Sequence, residues 1–331
     1  KQVVVAGSQH ANEIITVTFV LNLMNYLIKN NISFESLTIH FIPILNPEGY
    51  LINTSAIRNK LGRNTTENEI TKFSYEFYKK FKNASQNKDN KTKEHQLMFK
   101  DINHTSIDSK YNILRNNVEE ILSNHPKGSI IDWASNGNGI DLNSNTKKRI
   151  VKPNEYNWQL VYNNIRLDIP SPIGHPGNNQ SNNFKNELEI TSLKKLLEEL
   201  KGNIFGLLNY HSIGGIIYQR PESNNEFITT YNYLLSKYYQ EYTIKNKGTY
   251  DIIKDKSGKI VSVNDHLRIN YPGNILIELS PMMGNPIGVF GDKNNYNTTI
   301  QSNINSFIYT MTNIDRILSL TNNILQKQNN I

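Results

Sequence analysis

The beginning of the chain contains the pattern that most restricts the fold: an apolar run, an amphipathic helix and a second apolar run, all within residues 2–45. The apolar Val3-Val4-Val5-Ala6 within residues 2–6 is typical of a buried strand. Residues 13–29 carry apolar side chains at helical spacing, and residues 37–45 (LTIHFIPIL) predict a second strand. A strand, a helix and a strand in so short a segment form a βαβ unit, so the sequence predicts a parallel sheet.

The remainder of the 331-residue chain continues this alternation. Its patterns predict helices over 187–201, 226–245 and 298–326, and strands over 203–210 and 274–279. We therefore expect an α/β fold with a mixed, mostly parallel twisted sheet and helices on both faces.

Residues 64–130 differ in character from the rest of the chain. They are polar, rich in Lys, Asn and Glu, and carry amphipathic helical patterns, for example over 70–82 and 108–123. We interpret them as a helical insertion within a single domain that spans residues 1–331.

The composition excludes several kinds of site and partner. The chain has no cysteine, which excludes disulfides, iron–sulfur clusters and thiolate zinc sites, so any metal is held by His, Asp or Glu. The net charge is +7, but the lysines are scattered through a chain rich in Asn and Ile. We interpret them as ordinary solvated lysines and expect no nucleic-acid partner. No run reaches the ~18 consecutive apolar residues that a membrane span requires.

Three segments place titratable side chains at or near the ends of predicted strands. His10 and Glu13 lie in the loop after the first strand, and His211 follows the apolar run 204–208. Glu278 lies within an apolar strand, where a carboxylate is costly to bury unless it has a partner or a task. Taken alone, each segment also has an ordinary structural explanation. His10 and Glu13 could be surface polar residues, His211 a capping or core histidine, and Glu278 part of a structural ion pair. Together, two histidines and one glutamate form the ligand set of a catalytic zinc site, with a second glutamate as base.

Two further segments complete an ordered series of motifs. Asn46-Pro47-Glu48-Gly49 follows the second predicted strand, and Asp141-Leu142-Asn143-Ser144-Asn145 follows the insertion. With these, the chain resembles the zinc metallocarboxypeptidases of the carboxypeptidase A type, the funnelins. Their order is His-x-x-Glu, Asn-Pro-Asp-Gly, Asp-Leu-Asn-Arg-Asn, His-Ser and a strand-borne Glu. All of these motifs occur here in that order over residues 2–279, two of them with one substitution each. The insertion and residues 133–139 also resemble a bacterial, clostridial-type subgroup.

The resemblance implies a role for each matching residue. His10, Glu13 and His211 become the ligands of one zinc ion per chain. Glu278 becomes the general base, which takes a proton from the attacking water and passes it to the leaving amine. Asp141 matches the carboxylate that holds the first zinc histidine in its tautomer.

The implied substrate contacts depart from the family pattern. Arg58 matches the arginine that polarises the scissile carbonyl, with Arg63 as its rival. The family grips the terminal carboxylate of the substrate with Asn and Arg; Asn143 is kept, but Ser144 stands at the arginine position and cannot make a bidentate charged contact. The basic residues 147–149 in the same loop are alternative cations.

The resemblance also gives expectations for two more positions and for the N-terminus. Tyr250 is the best match to the mobile tyrosine that covers the substrate in the cleft. Val263 matches the lining of the specificity pocket and would favour a neutral or apolar side chain. The family has a helix and a strand pair before the segment with which this chain begins, so we expect these N-terminal elements to be missing.

The resemblance therefore predicts a zinc-dependent metallopeptidase, and most simply a carboxypeptidase that removes C-terminal residues. The substitution at Ser144 keeps open the same chemistry on peptidoglycan stem peptides, around D-glutamyl or diamino-acid residues. An inactive relative that only binds peptides is the third alternative. We expect a peptide or peptidoglycan-fragment substrate; a secreted or cell-envelope location is compatible with this, and the oligomeric state stays open.

Overall fold

The computed structural model describes most of the chain outside the predicted insertion. The described residues are 1–61, 103–124, 130, 133–143, 145, 159–162, 165–168, 187–212, 214–219, 223–244, 248–254, 262–279 and 293–329.

Strands and helices alternate along these residues. The strands are β1 (Gln2–Ala6), β2 (Thr38–Ile42), β3 (Gln159–Tyr162), β4 (Ile165–Asp168), β5 (Ile204–Ser212), β6 (Ile216–Gln219), β7 (Asp251–Lys254) and β8 (Asn274–Leu279). The helices are α1 (Ile14–Lys29), α2 (Pro47–Leu61), α3 (Asn112–Asn124), α4 (Leu188–Glu199), α5 (Glu226–Gln240), α6 (Val263–Asn270), α7 (Lys293–Thr312) and α8 (Ile314–Asn329).

Within the described part of the chain, six strands form one sheet in the order β2-β1-β5-β8-β6-β7. The pairs β1–β2, β1–β5, β5–β8 and β6–β7 are parallel, whereas β6 runs antiparallel to β8. The prediction of a mixed, mostly parallel sheet is therefore confirmed. The strands β3 and β4 pair separately as an antiparallel hairpin.

Helices cover both faces of the sheet, as predicted. Val3 and Val5 of β1 belong to a core with α1, α5, α7 and the start of α8, while Val4 belongs to a core with α4 and α6. This division follows from the alternation of side chains along a strand. Because both faces of β1 are covered, the continuous apolar run of the first strand is fully buried.

Several boundaries differ from those predicted. The single C-terminal helix expected over 298–326 is two helices that meet at Asn313. The Asn313 side chain donates to the carbonyl oxygen of Tyr309, and its backbone N–H bonds to both Tyr309 and Thr310. A side chain that bonds to the backbone competes with the regular helix ladder. The predicted strand 37–45 is shorter, because its last residues leave the sheet to form the turn before α2.

The predicted insertion is described only in its second half. Residues 104–106 and 109–111 form short 3₁₀ turns, and α3 begins at Asn112 rather than at 108. The helical pattern over 70–82 lies outside the described residues, so the single-domain organisation with an insertion at 64–130 stays a prediction. Among the helices described, none combines the length and hydrophobicity needed to cross a bilayer.

Candidate metal centre

Three neighbouring strands bring the candidate residues to one edge of the sheet. His10 follows the carboxyl end of β1, and His211 lies near the carboxyl end of its parallel neighbour β5. His211 is paired directly with Glu278 across the parallel β5–β8 ladder, so the two side chains lie on the same face. Ligands bind at the carboxyl ends of strands in open α/β sheets, so the location suits a functional site.

The loop that carries His10 and Glu13 is held in a strained turn. Ser8 has a positive φ of 53°, which costs a non-glycine residue about 1–2 kcal/mol. The Ser8 N–H donates to Thr16 Oγ1 at 2.7 Å, and the Thr16 hydroxyl donates to the Glu13 carbonyl oxygen at 2.7 Å. Strain of this kind persists where surrounding contacts determine the backbone, so the loop is preorganised.

The Asn-Pro-Glu-Gly motif connects this loop to a second one. The Asn46 amide donates to the carbonyl oxygens of Gln9 at 3.2 Å and Ser135 at 3.1 Å, and its Oδ1 accepts from Gly49 N–H at 3.0 Å. Asn46 thus caps α2 while it holds two loops of the site together. A Cβ at Gly49 would overlap the Ser135 carbonyl oxygen, so glycine is required here.

The structure brings the three predicted metal ligands together. His10 Nδ1 lies 2.9 Å from Glu13 Oε1, His211 Nδ1 lies 3.0 Å from Glu13 Oε2, and the two Nδ1 atoms are 3.3 Å apart. Among the residues described, this is the one group of three or more His, Cys, Asp or Glu side chains that could hold a metal ion.

These separations fit zinc. Zinc takes tetrahedral ligands at ~2.0–2.1 Å, which puts neighbouring donor atoms about 3.3 Å apart. Two imidazoles and one carboxylate, with Nδ1 as the facing nitrogen on both rings, are also the donor set of a catalytic zinc site that keeps one position for water.

Two carboxylates stand beside the triad. Asp141 Oδ1 lies 3.2 Å from His10 Nε2 and also accepts from the Asn143 N–H at 2.9 Å. A bond from His10 Nε2–H to Asp141 leaves Nδ1 as the ring nitrogen that can exchange its proton for a metal ion. Glu278 Oε2 is shut off from solvent and has no hydrogen-bond partner among the described residues. Such a buried carboxylate oxygen indicates a missing partner.

The charges in the site perturb three groups. Burial alone would lower the pKa of His10, but Glu13 and Asp141 outweigh it and hold that pKa well above its ordinary value. Burial would raise the pKa of Glu13, but His10 and His211 lower it to about 2. Burial raises the pKa of Glu278 well above its ordinary value; the Glu13 carboxylate adds to the rise and His10 opposes it. Of Glu13 and Glu278, Glu278 is thus the carboxylate that more readily takes up a proton.

The predicted substrate residues are less uniformly placed. Asn143 is half-buried and follows Asp141 directly in the loop. Val263 is buried at the start of α6, and its N–H donates to the Asn143 carbonyl oxygen at 2.7 Å. Arg63, Ser144 and residues 147–149 lie outside the described residues.

Arg58 and Tyr250 are not beside the triad in the contacts described. Arg58 is exposed on α2 and lines a cavity of 570 Å³ with residues of 105–111 and Arg115, none of them a metal ligand. Tyr250 is fully buried in the core on the sheet face opposite Val4 and Val263, and its hydroxyl accepts from Asn303 at 2.9 Å. This position does not fit a tyrosine that closes over the cleft.

A cluster of buried amides next to His211 was not anticipated from the sequence. It consists of Gln9, Asn209 and Asn264, and it reaches His211 at 3.0 Å through Gln9 Oε1. One signal was present: Asn209 is two residues before His211 on a strand, so it must share its face. Gln9 and Asn264 have no such marker in a chain so rich in asparagine.

One family model matches most of the chain. The family model described as zinc carboxypeptidase matches residues 1–264. A search of curated proteins finds no match to the chain.

Three solved structures illustrate the structural likeness. Bovine thrombin-activatable fibrinolysis inhibitor in complex with tick carboxypeptidase inhibitor has 11% identity and a TM-score of 0.44, with 95% of this chain and 82% of that chain covered. Carboxypeptidase A from Helicoverpa armigera has 10% identity and a TM-score of 0.46, with 96% and 61% covered. A further structure of thrombin-activatable fibrinolysis inhibitor has 12% identity and a TM-score of 0.42, with 95% and 61% covered. The clostridial-type subgroup stays a prediction.

Proposed function

This chain belongs to the zinc carboxypeptidase family and is a peptide hydrolase, and on that premise we propose that it removes C-terminal residues from peptides at a site built around one zinc ion. The observation that carries the proposal is the convergence of His10, Glu13 and His211 on one point, with Glu278 paired beside His211.

We assign the zinc ligands to His10 Nδ1, His211 Nδ1 and the Glu13 carboxylate. When bound in such a site, zinc lowers the pKa of a water molecule to near neutrality and polarises the carbonyl of the bond to be cut. Asp141 keeps the His10 ring in the ligating tautomer through its bond at 3.2 Å to Nε2.

We assign the general base to Glu278. Burial raises the pKa of Glu278 toward neutral pH, where a carboxylate can both accept a proton and release it. Glu278 accepts a proton from the attacking water and then gives it to the nitrogen of the leaving residue, so the carboxylate is restored at the end of each cycle. Burial of its Oε2 keeps bulk water from competing for that proton.

The negative charge that develops on the carbonyl oxygen requires a cation or another strong donor. Arg58 and Arg63 are the two candidates that the motif spacing supplies. The cavity beside Arg58 is also lined by Lys110, Arg115 and Asp108, so its charge is net positive. The variants Arg58→Ala and Arg63→Ala decide between them. Loss of the arginine that contacts the carbonyl oxygen should lower kcat by ~100-fold or more, whereas loss of the other should leave kcat nearly unchanged.

We assign recognition of the substrate's terminal carboxylate to Asn143. We assign recognition of the substrate's C-terminal side chain to the region of Val263. An amide can donate one or two bonds to a carboxylate but lacks the charge of the arginine that Ser144 replaces. The basic residues 147–149 are our candidates for that missing charge. The apolar character of Val263 favours a neutral or apolar side chain in the pocket.

A second candidate substrate is a peptidoglycan stem peptide, cut around a D-glutamyl or diamino-acid residue. The observation in its favour is Ser144, because a changed carboxylate grip suits an unusual substrate. The hydrolytic chemistry and the roles of Glu278 and the triad are the same in both cases.

The test combines metal analysis with a substrate panel. The purified protein is analysed for zinc and assayed on blocked dipeptides with free C-termini, on the same dipeptides as amides, and on muropeptides. Zinc near one per chain with cleavage of the free-carboxylate substrates alone supports the carboxypeptidase. Cleavage of muropeptides alone supports the peptidoglycan stem peptide as the substrate instead. Absence of both zinc and turnover contradicts the proposal as a whole.

A further inference from the structure

A cluster of buried amides connects the second zinc histidine to the residue that we assign to the substrate carboxylate. Gln9, Asn209 and Asn264 are each no more than 3% exposed. They lie on the sheet face that α6 covers, and they contact both His211 and Asn143. Buried amides are costly unless their hydrogen-bonding groups are paired, so their arrangement is informative.

The donors and acceptors of Asn264 can be assigned by counting. Its Nδ2 lies 2.9 Å from Gln9 Oε1, 2.9 Å from Asn143 Oδ1 and 3.3 Å from His211 Nε2. An amide nitrogen has two hydrogens, and the two nearer oxygens take both. Asn264 Oδ1 meanwhile accepts from Asn209 Nδ2 at 2.7 Å, which fixes the orientation of the amide.

This assignment determines the proton on His211. Gln9 Oε1 can only accept and Asn264 has no hydrogen left for the ring, so His211 Nε2 carries a proton and donates it to Gln9 Oε1 at 3.0 Å. Asn209 Nδ2 donates to the same oxygen at 2.5 Å. The other ring nitrogen, Nδ1, lies 3.0 Å from Glu13 Oε2 and 3.3 Å from His10 Nδ1, so it is the nitrogen that a metal ion can bind in place of a proton. Gln9 Nε2 is buried and has no partner among the described residues, so the carbonyl end of Gln9 is the end in use.

The same assignment orients Asn143. Its Oδ1 accepts from Asn264, so its Nδ2 must lie at the other end of the amide. A substrate carboxylate can only accept hydrogen bonds, and it therefore requires the NH₂ group of Asn143 rather than its carbonyl.

We infer that Gln9 and Asn264 are positioning residues: Gln9 holds His211 in the tautomer that ligates through Nδ1, and Asn264 turns the NH₂ group of Asn143 toward the substrate carboxylate. The inference rests on the proposed function, because it assumes those roles for His211 and Asn143. Neither residue touches the reacting atoms; each acts through the residue that it orients.

The first experiment tests Gln9 with three variants. Gln9→Met removes the acceptor at similar size, Gln9→Glu keeps an acceptor, and Gln219→Met changes another buried glutamine, which donates to Ser236 at the far end of β6. Zinc affinity is measured by chelator competition. The His211 tautomer is read from ¹⁵N shifts of histidine-labelled, metal-free protein.

We expect Gln9→Met to weaken zinc binding by about 10–100-fold and to remove the proton from His211 Nε2 in part of the metal-free protein. Gln9→Glu restores both properties, and Gln219→Met leaves both as in the wild type. Wild-type zinc affinity in Gln9→Met, or a metal-free wild-type His211 without a proton on Nε2, overturns the inference. The second outcome needs no variant, so the test survives if Gln9→Met does not fold. A wild-type protein without zinc contradicts the proposed function instead, while the tautomer still decides the inference.

The second experiment tests Asn264 by its effect on KM. In Asn264→Asp the new carboxylate can only accept, so the NH₂ group of Asn143 turns toward it and away from the substrate. We expect KM for free-carboxylate peptides to rise about 10-fold or more, with a much smaller change in kcat. Asn143→Ala should raise KM similarly, and the double variant should add little to either single one. An unchanged KM in Asn264→Asp, or fully additive effects, overturns this part of the inference.

Discussion

Replacement of Glu278 by glutamine should make the metal-free protein more stable and the enzyme nearly inactive. In the metal-free protein, the Glu278 carboxylate is next to the negative charge of Glu13, and its Oε2 has neither solvent nor a hydrogen-bond partner among the described residues. A glutamine of the same shape carries no charge. The change therefore removes an unfavourable interaction from the folded state and alters little of the packing.

The size of the gain follows from that environment. A buried polar group left without a partner costs ~1–3 kcal/mol, and a charged one more. Glutamine keeps a polar group at this position and removes only the charge, and each pKa unit by which folding raises the pKa of Glu278 is worth about 1.4 kcal/mol. We therefore expect the free energy of unfolding of Glu278→Gln to exceed that of the wild type by about 1–3 kcal/mol near pH 8. Glu199→Gln, which changes an exposed carboxylate on α4, should have no measurable effect.

The gain should depend on pH in a defined direction. The folded-state pKa of Glu278 lies above its unfolded value, so the folded state binds this proton more tightly. Below the unfolded pKa both states are protonated and the wild-type carboxyl carries no charge penalty. As the pH rises from there through the folded pKa, the wild type loses stability relative to the variant.

Urea denaturation of the chelator-treated proteins between pH 4.5 and pH 8 measures this difference. In the same variant, kcat of the zinc-loaded enzyme should fall by about 10²–10⁴-fold, the usual contribution of a general base. A variant that is less stable than the wild type at pH 8 would refute the reasoning about burial. Near-normal turnover would refute the assignment of the base.

Three further predictions concern the metal and the loops around it. His211→Ala should abolish stoichiometric zinc binding, as measured by metal analysis after dialysis, because it leaves only two of the three ligands; full occupancy would show that the ligand set is wrong. Zinc affinity should fall about tenfold per pH unit once the pH drops below the raised pKa of His10, because the proton on His10 must leave before zinc binds. Glu13, with a pKa of about 2, stays ionised over the same range. Chelator competition from pH 5 to 9 measures this slope, and an affinity that does not change with pH contradicts the prediction. Gly49→Ala should lower the free energy of unfolding by ~1–3 kcal/mol, because the new methyl group overlaps the Ser135 carbonyl oxygen; an unchanged urea midpoint would mean that this loop yields readily.

The parts of the site that the sequence predicted are those with a fixed order of unusual residues. The spacing of His10 and Glu13 alone has an ordinary surface interpretation; the prediction came from the ordered series of motifs together with a carboxylate at Glu278 within an apolar strand. The amide cluster could not be predicted in the same way. Its members are Asn and Gln, which are common here, and their importance arises only when β1, β5 and α6 come together.

Tyr250 shows why separation along the chain is a weak guide. Its distance from Glu278 in sequence suggested a place over the cleft, but β7 begins one residue later and turns the tyrosine into the opposite core. The short strands β6 and β7 were themselves missed, since four residues are too few for a clear alternating pattern. The apolar stripe of the C-terminal helix was visible, but the break at Asn313 depends on a local side-chain bond that a stripe does not reveal.

The position of the base depends on residues that have no chemical role. Glu278 lies beside His211 because of the β5–β8 register, and a slip of one residue would turn Glu278 to the opposite face and put an apolar residue beside the triad. That register is held by Ile275 and Ile277, which are buried on the other face against α5 and α7, and by the turn that leads into β8. In that turn Gly273 has a φ of +75° and donates its N–H to Asn232 Oδ1 at 2.6 Å. A change in this core should therefore reduce kcat through the register before it affects zinc binding, because all three ligands lie on β5 and the loop after β1 rather than on β8.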